Sequence, residues 1–143
     1  MTKKHKEILM CYKCYGLIKD ELGVKYLEKN PDLKLCDCER PDRIRAIKID
    51  RNIFGIIQAL NLKGYYTGGC CEGYGKDGIK VAFKTLDKKI KVKPKGLPEG
   101  FVFTKTVLYS IINYKTQKQK REDEKKLLYW IRNSLEDIKN DNN

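Results

Sequence analysis

Met10-Cys11-Tyr12-Lys13-Cys14-Tyr15-Gly16 opens the informative part of this chain, and Leu33-Lys34-Leu35-Cys36-Asp37-Cys38 answers it, with 21 residues between Cys14 and Cys36. Two short cysteine turns joined by an excursion of that length can meet and present four thiolates as a tetrahedron. That is the donor set a zinc ion takes in a structural site. The first turn reads as a metal knuckle, whose backbone N–H groups point at sulfur. Cys11, Cys14, Cys36 and Cys38 are therefore the expected Zn²⁺ ligands. Such a site is closed to water and substrate, so its binding energy becomes folding energy for a small module. Lys13, Lys34 and Arg40 lie close in sequence and would offset the charge of the thiolates. The competing reading, four reduced cysteines in a core, fits poorly with their polar neighbours.

The rest of the chain reads as α+β. Leu17 to Asn30 forms a hairpin or helical excursion, and the alternation at Leu33 and Leu35 suits a short strand. Pro41 closes the metal-binding module, which gives a zinc-ribbon-like unit over residues 1–41 and an α+β domain over 42–143. Ile47 to Gly64 reads as a helix capped by Asp50, with Ile53, Phe54, Ile57 and Leu60 on one face and Gly64 as its left-handed stop. A strand beginning at Tyr65 runs into Gly68-Gly69-Cys70-Cys71, and Ile79 to Lys84 alternates as a second strand. Lys88 to Lys95 suggests an edge strand guarded by lysine. Phe101 to Asn113 supplies one or two more strands. Leu127, Leu128, Ile131, Leu135 and Ile138 make a stripe on a closing helix drawn from Thr116 to Asn140. The expected architecture is a central helix packed on a small, mostly antiparallel sheet, with the metal module at the N-terminal end and a helix at the C-terminal end.

Composition sets the class. The 143 residues carry 31 Lys+Arg against 19 Asp+Glu, a net charge of +12, which favours acidic or polyanionic partners. Solubility and the lysine-rich usage of an AT-rich genome account for the same excess. No secretory signal or membrane-length apolar run is visible, so a cytoplasmic location is expected. There the thiols stay reduced and metal is favoured over disulfides.

Cys70 and Cys71 leave three readings open. Neighbours on a strand point to opposite faces, so one can pack in the core while the other sits on a loop. One of them can instead be an alternative metal ligand in place of Cys36 or Cys38. A nucleophilic role needs a base, and the only histidine is His5. No phosphate-cradling loop or carboxylate pair accompanies them: Gly73 to Gly78 lacks the P-loop spacing. A binding protein rather than an enzyme is expected. The partner-binding candidates are Arg40, Arg43 and Arg45, with the alternating Lys89, Lys91, Lys93 and Lys95 as a phosphate track. Tyr12, Tyr15, Tyr65, Tyr66 and Tyr74 are either base-stacking rings or core and loop anchors. The charged run from Lys115 to Lys126 reads as a solvated helix face.

The stretch Leu60-Asn61-Leu62-Lys63-Gly64-Tyr65-Tyr66-Thr67-Gly68-Gly69-Cys70-Cys71-Glu72-Gly73-Tyr74, followed by Val81-Ala82-Phe83, resembles a recurrent pattern. It is that of small Cys-rich zinc-binding proteins of phages and mobile elements of low-GC Gram-positive bacteria. Those proteins share the N-terminal cysteine pair, the later Cys-x-Cys, and a helix running into a strand that ends in Cys-Cys-Glu-Gly-His. The resemblance covers about residues 11 to 85, and Tyr74 stands where the pattern has histidine. A subset of small phage proteins of this general kind are anti-CRISPRs. The resemblance thus implies an inhibitor of a host defence complex, a CRISPR effector nuclease first among them. The alternative is a basic nucleic-acid-binding zinc module, such as a phage regulator.

Overall fold

The computed structural model describes residues 7–39, 45–71, 77–84, 96–104 and 106–137. The chain begins with strand β1 (Glu7–Met10), helix α1 (Glu21–Lys29) and strand β2 (Ile47–Asp50). Helix α2 (Phe54–Leu62), strands β3 (Thr67–Cys71) and β4 (Lys80–Phe83), and strands β5 (Phe101–Phe103) and β6 (Val107–Ser110) follow. Helix α3 (Gln117–Asn133) comes last. The architecture is α+β, with a cysteine cluster near the N-terminal end and a helix near the C-terminal end, as the sequence implied.

Helix α2 is the centre. Phe54 through Asn61 are all buried, so this helix shows no polar face and other elements surround it. One layer is the antiparallel sheet in the order β3-β4-β6-β5. Its register pairs Val81 with Leu108 and Phe103 with Leu108, which turns these side chains to one core face. Tyr65, Phe83, Phe103 and Trp130 build an aromatic cluster there, with ring centroids 5.4 to 6.4 Å apart. Leu127, Trp130, Ile131 and Leu135 of the closing segment are buried against the same core. Gly55 lets α3 approach, since a Cβ there would lie 3.0 Å from Leu128 Cδ2.

A second sheet pairs β1 with β2, Ile8 opposite Ile49 and Met10 opposite Ile47. This corrects the expectation of one helix from Ile47 to Gly64. The alternation of Ile47 and Ile49 is a strand's, and β1 offers a backbone edge that the local sequence does not advertise. Asp50 caps no helix. Its side chain accepts from Asn52 N–H at 2.9 Å and its carbonyl from Ile53 N–H at 3.1 Å, forming the turn that precedes α2. Gly64 has φ +97°, the left-handed stop expected. Asp20 caps α1 by accepting from Gly23 N–H at 2.7 Å, and Thr116 caps α3 through Gln119 N–H. Phe101 to Asn113 resolves into two strands. The short strand expected at Leu33 to Leu35 reduces to a single parallel bridge between Leu17 and Leu35. In the charged run of α3, Lys120 and Glu124 are buried, so that run is not wholly a solvated face. The proposed lysine edge strand and Ile138 lie outside the described residues. Among the described residues, no helix is long and apolar enough to cross a membrane.

Candidate metal centre

The first knuckle closes on itself. Cys11 N–H donates to Gly16 C=O at 2.8 Å, Tyr15 N–H to Cys11 C=O at 3.0 Å, and Gly16 N–H to Cys14 Sγ at 3.4 Å. Tyr15 takes a positive φ of 61° to make this turn. The chain then pairs with the approach to the second knuckle: Leu17 N–H donates to Lys34 C=O at 2.8 Å and Cys36 N–H to Leu17 C=O at 2.9 Å. These bonds draw Gly16 against Cys36. A Cβ at residue 16 would sit 2.4 Å from Cys36 N and 2.5 Å from its Cα, so only glycine permits the approach.

The result is one cluster. The Sγ atoms of Cys11, Cys14, Cys36 and Cys38 all lie within 4.8 Å of one another. Cys11 and Cys38 are 3.8 Å apart, far beyond a disulfide bond of about 2.0 Å. A tetrahedron with metal–sulfur bonds of about 2.3 Å has edges of about 3.8 Å. The donor chemistry and the spacing both fit a metal ion such as zinc. Cys11 is fully buried and the other three are half-buried.

The electrostatics of the thiols point the same way. Burial pushes Cys11 up, but hydrogen bonds from the Cys14 and Lys13 backbone, and from the thiols of Cys14 and Cys36, outweigh it and bring the group down to about 7. Cys38 is pushed up to about 12, first by its hydrogen bonds to Cys11 and Cys14. Burial raises Cys36. Cys11 is thus drawn toward the thiolate while its hydrogen bonds hold Cys38 protonated. A divalent cation at the centre removes that difference.

Sequence reasoning missed Gln58. It is a lone amide within the apolar stretch from Ile53 to Leu60, and it is 2% exposed. Its Nε2 donates to Tyr15 C=O at 2.9 Å and to Lys34 C=O at 2.8 Å, while its Oε1 accepts from Lys34 N–H at 3.0 Å. The central helix thus holds the residue after Cys14 and the loop before Cys36 with one side chain. The available signal was the polar residue in an otherwise apolar helix, which must find buried partners. Asn61, one turn on, does the same for the sheet, through Thr67 N–H at 3.2 Å and Thr67 Oγ1 at 3.0 Å.

The basic candidates divide. Arg45 reaches the first knuckle, its Nη1 3.3 Å from Tyr12 Oη and its Cζ 5.6 Å from the Tyr12 ring centroid. Lys13 Nζ lies 5.7 Å from the same ring centroid. Lys34 Nζ donates to Cys14 C=O at 3.2 Å. Tyr15 and Tyr66 form a ring pair 5.8 Å apart at the surface, whereas Tyr65 is fully buried and belongs to the core. Arg40, Arg43, Lys89, Lys91, Lys93, Lys95, Tyr74 and His5 lie outside the described residues. The backbones of Cys70 and Cys71 lie in β3, paired with Val81 and Lys80. Comparison with family models, with curated proteins and with solved structures finds no match.

Proposed function

We propose that this chain is a zinc-stapled binding protein that inhibits a host defence complex by occupying one of its functional surfaces. The metal half of the reading rests on the four Sγ atoms gathered within 4.8 Å. With four protein ligands the ion has no open position, so its role is to fix the knuckles in shape and with them the surface they carry. The binding half draws on the small size, the net charge of +12 and the resemblance of about residues 11 to 85 to small phage proteins. A CRISPR effector nuclease is the first target. A basic chain would grip an acidic protein patch or the guide RNA. Pull-down and nuclease-inhibition assays with purified effectors test this: stoichiometric capture with loss of cleavage is expected, and failure to bind any effector removes the reading.

A nucleic-acid-binding zinc module is the second reading, favoured by the same charge and by the Tyr12–Arg45–Lys13 cluster beside the first knuckle. It predicts affinity for generic DNA or RNA that falls steeply with salt. Undetectable binding at low salt excludes it.

A further inference from the structure

We infer that the groove between the end of α1, the start of α2 and one face of α3 is a binding site for a nucleoside phosphate. The groove has a volume of about 470 Å³, within the range of about 300–1,000 Å³ typical of small-ligand sites. Five cations from three separate elements surround it: Lys29, Arg51, Arg121, Lys125 and Arg132. The last three are spaced along α3 at positions i, i+4 and i+11, so they share a face. Two carboxylates are also present, Asp32 and Glu124. Glu124 is buried and already accepts from Arg121 Nη1 at 2.8 Å, leaving the cations in excess. Arg51 and Arg132 both line the groove beside Tyr26.

The start of α2 borders the groove through Asn52, Gly55 and Ile56, and the Asp50 carboxylate, bonded to Asn52 N–H at 2.9 Å, lies just ahead of it. The same lining includes the apolar side chains of Leu33, Ile56 and Leu128 beside Gly55. Phosphate oxygens suit the guanidinium groups. A flat ring suits the apolar side chains. A nucleic-acid strand would call for one extended track of cations, whereas these come from three elements around one groove. None of the four clustered cysteines lines the groove, so this assignment stands apart from the metal centre.

The test uses the full, metal-loaded chain and calorimetric titration at low salt with ADP, pyrophosphate and a single-stranded oligonucleotide. ADP is expected to bind, and more tightly than pyrophosphate. Arg51→Ser and Arg132→Ser should each weaken ADP by about tenfold or more, the scale of one charge-assisted hydrogen bond. Both substitutions preserve the backbone carbonyls that accept from Tyr26 Oη and Lys63 Nζ, so an unchanged melting curve is expected. The assignment is overturned if ADP fails to bind at millimolar concentration, or if pyrophosphate or the oligonucleotide binds at least as well as ADP. Binding of ADP that survives both substitutions overturns it too.

Discussion

Gln58 and Lys34 exchange two hydrogen bonds, amide to amide, as if the side chain were a neighbouring strand: Lys34 N–H to Oε1 at 3.0 Å and Nε2 to Lys34 C=O at 2.8 Å. The same Nε2 reaches Tyr15 C=O at 2.9 Å, so a single residue of the core helix ties both cysteine turns. The geometry of the cysteine cluster and the packing of the core are therefore coupled.

That coupling is testable at Gln58. Gln58→Leu keeps the volume but strands the Lys34 N–H and the Tyr15 C=O. A loss of about 2–4 kcal/mol is expected, together with weaker zinc retention against a competing chelator. Gln58→Glu keeps the acceptor and loses both donors, so it should also destabilise. Denaturant melts with and without metal measure both, and parental stability in Gln58→Leu would refute the role.

Gly16 and Gly55 should behave differently. Gly16→Ala drives a Cβ to 2.4 Å from backbone Cys36 N, which cannot yield without separating the knuckles. More than about 3 kcal/mol of destabilisation and loss of bound metal are expected. Gly55→Ala meets only a leucine methyl at 3.0 Å, and alanine favours the helix, so the net change should stay within about 1 kcal/mol. Thermal melts and metal content read out both.

Metal removal separates the cysteines by role. Serine at Cys11, Cys14, Cys36 or Cys38 should drop the zinc stoichiometry well below one per chain and lower the melting temperature, as should a strong chelator. Cys70→Ser and Cys71→Ser should leave the stoichiometry at one. Elemental analysis of the purified variants decides, and a metal-free parent protein would overturn the site.

Alkaline titration probes the buried phenols. Burial pushes Tyr26 up to about 12, with Asp50 adding and Arg51 and Arg132 opposing, and burial likewise pushes Tyr114 up to about 12 despite its bond to Ser110. A raised folded value means that the neutral phenol is preferred in the native state. The stability this contributes is complete below about pH 10, the ordinary tyrosine value, and is lost as pH rises through about 12. Tyrosinate absorbance should place Tyr26 and Tyr114 among the late-titrating groups of the folded protein. Tyr26→Phe should remove one of them.

The contrast between α3 and β2 explains what could be seen in advance. Leu127 and Ile131 repeat at helical spacing and are buried, so the closing helix was legible, although it ends at Asn133 rather than Asn140 and the buried Leu135 lies past its end. Ile47-Lys48-Ile49-Asp50 is four residues long and abuts a helix, so a helical reading simply absorbed it. Its strand state depends on β1, forty residues away in the chain.

The sequence alone marked the two cysteine pairs as metal-binding turns, because pairs at these spacings form tight turns, while leaving Cys70 and Cys71 as alternative ligands. It also settled the excess of positive charge, the mixed α+β class and the glycine stop after α2, because composition, periodicity and local backbone preference need no distant partner. Tertiary structure alone decided that Gln58 would clasp both knuckles, that Gly16 would be pressed against Cys36, and that five cations from three elements would ring one groove. Each of these depends on contacts between residues remote in the chain, and side-chain pattern along a single segment carries no record of them.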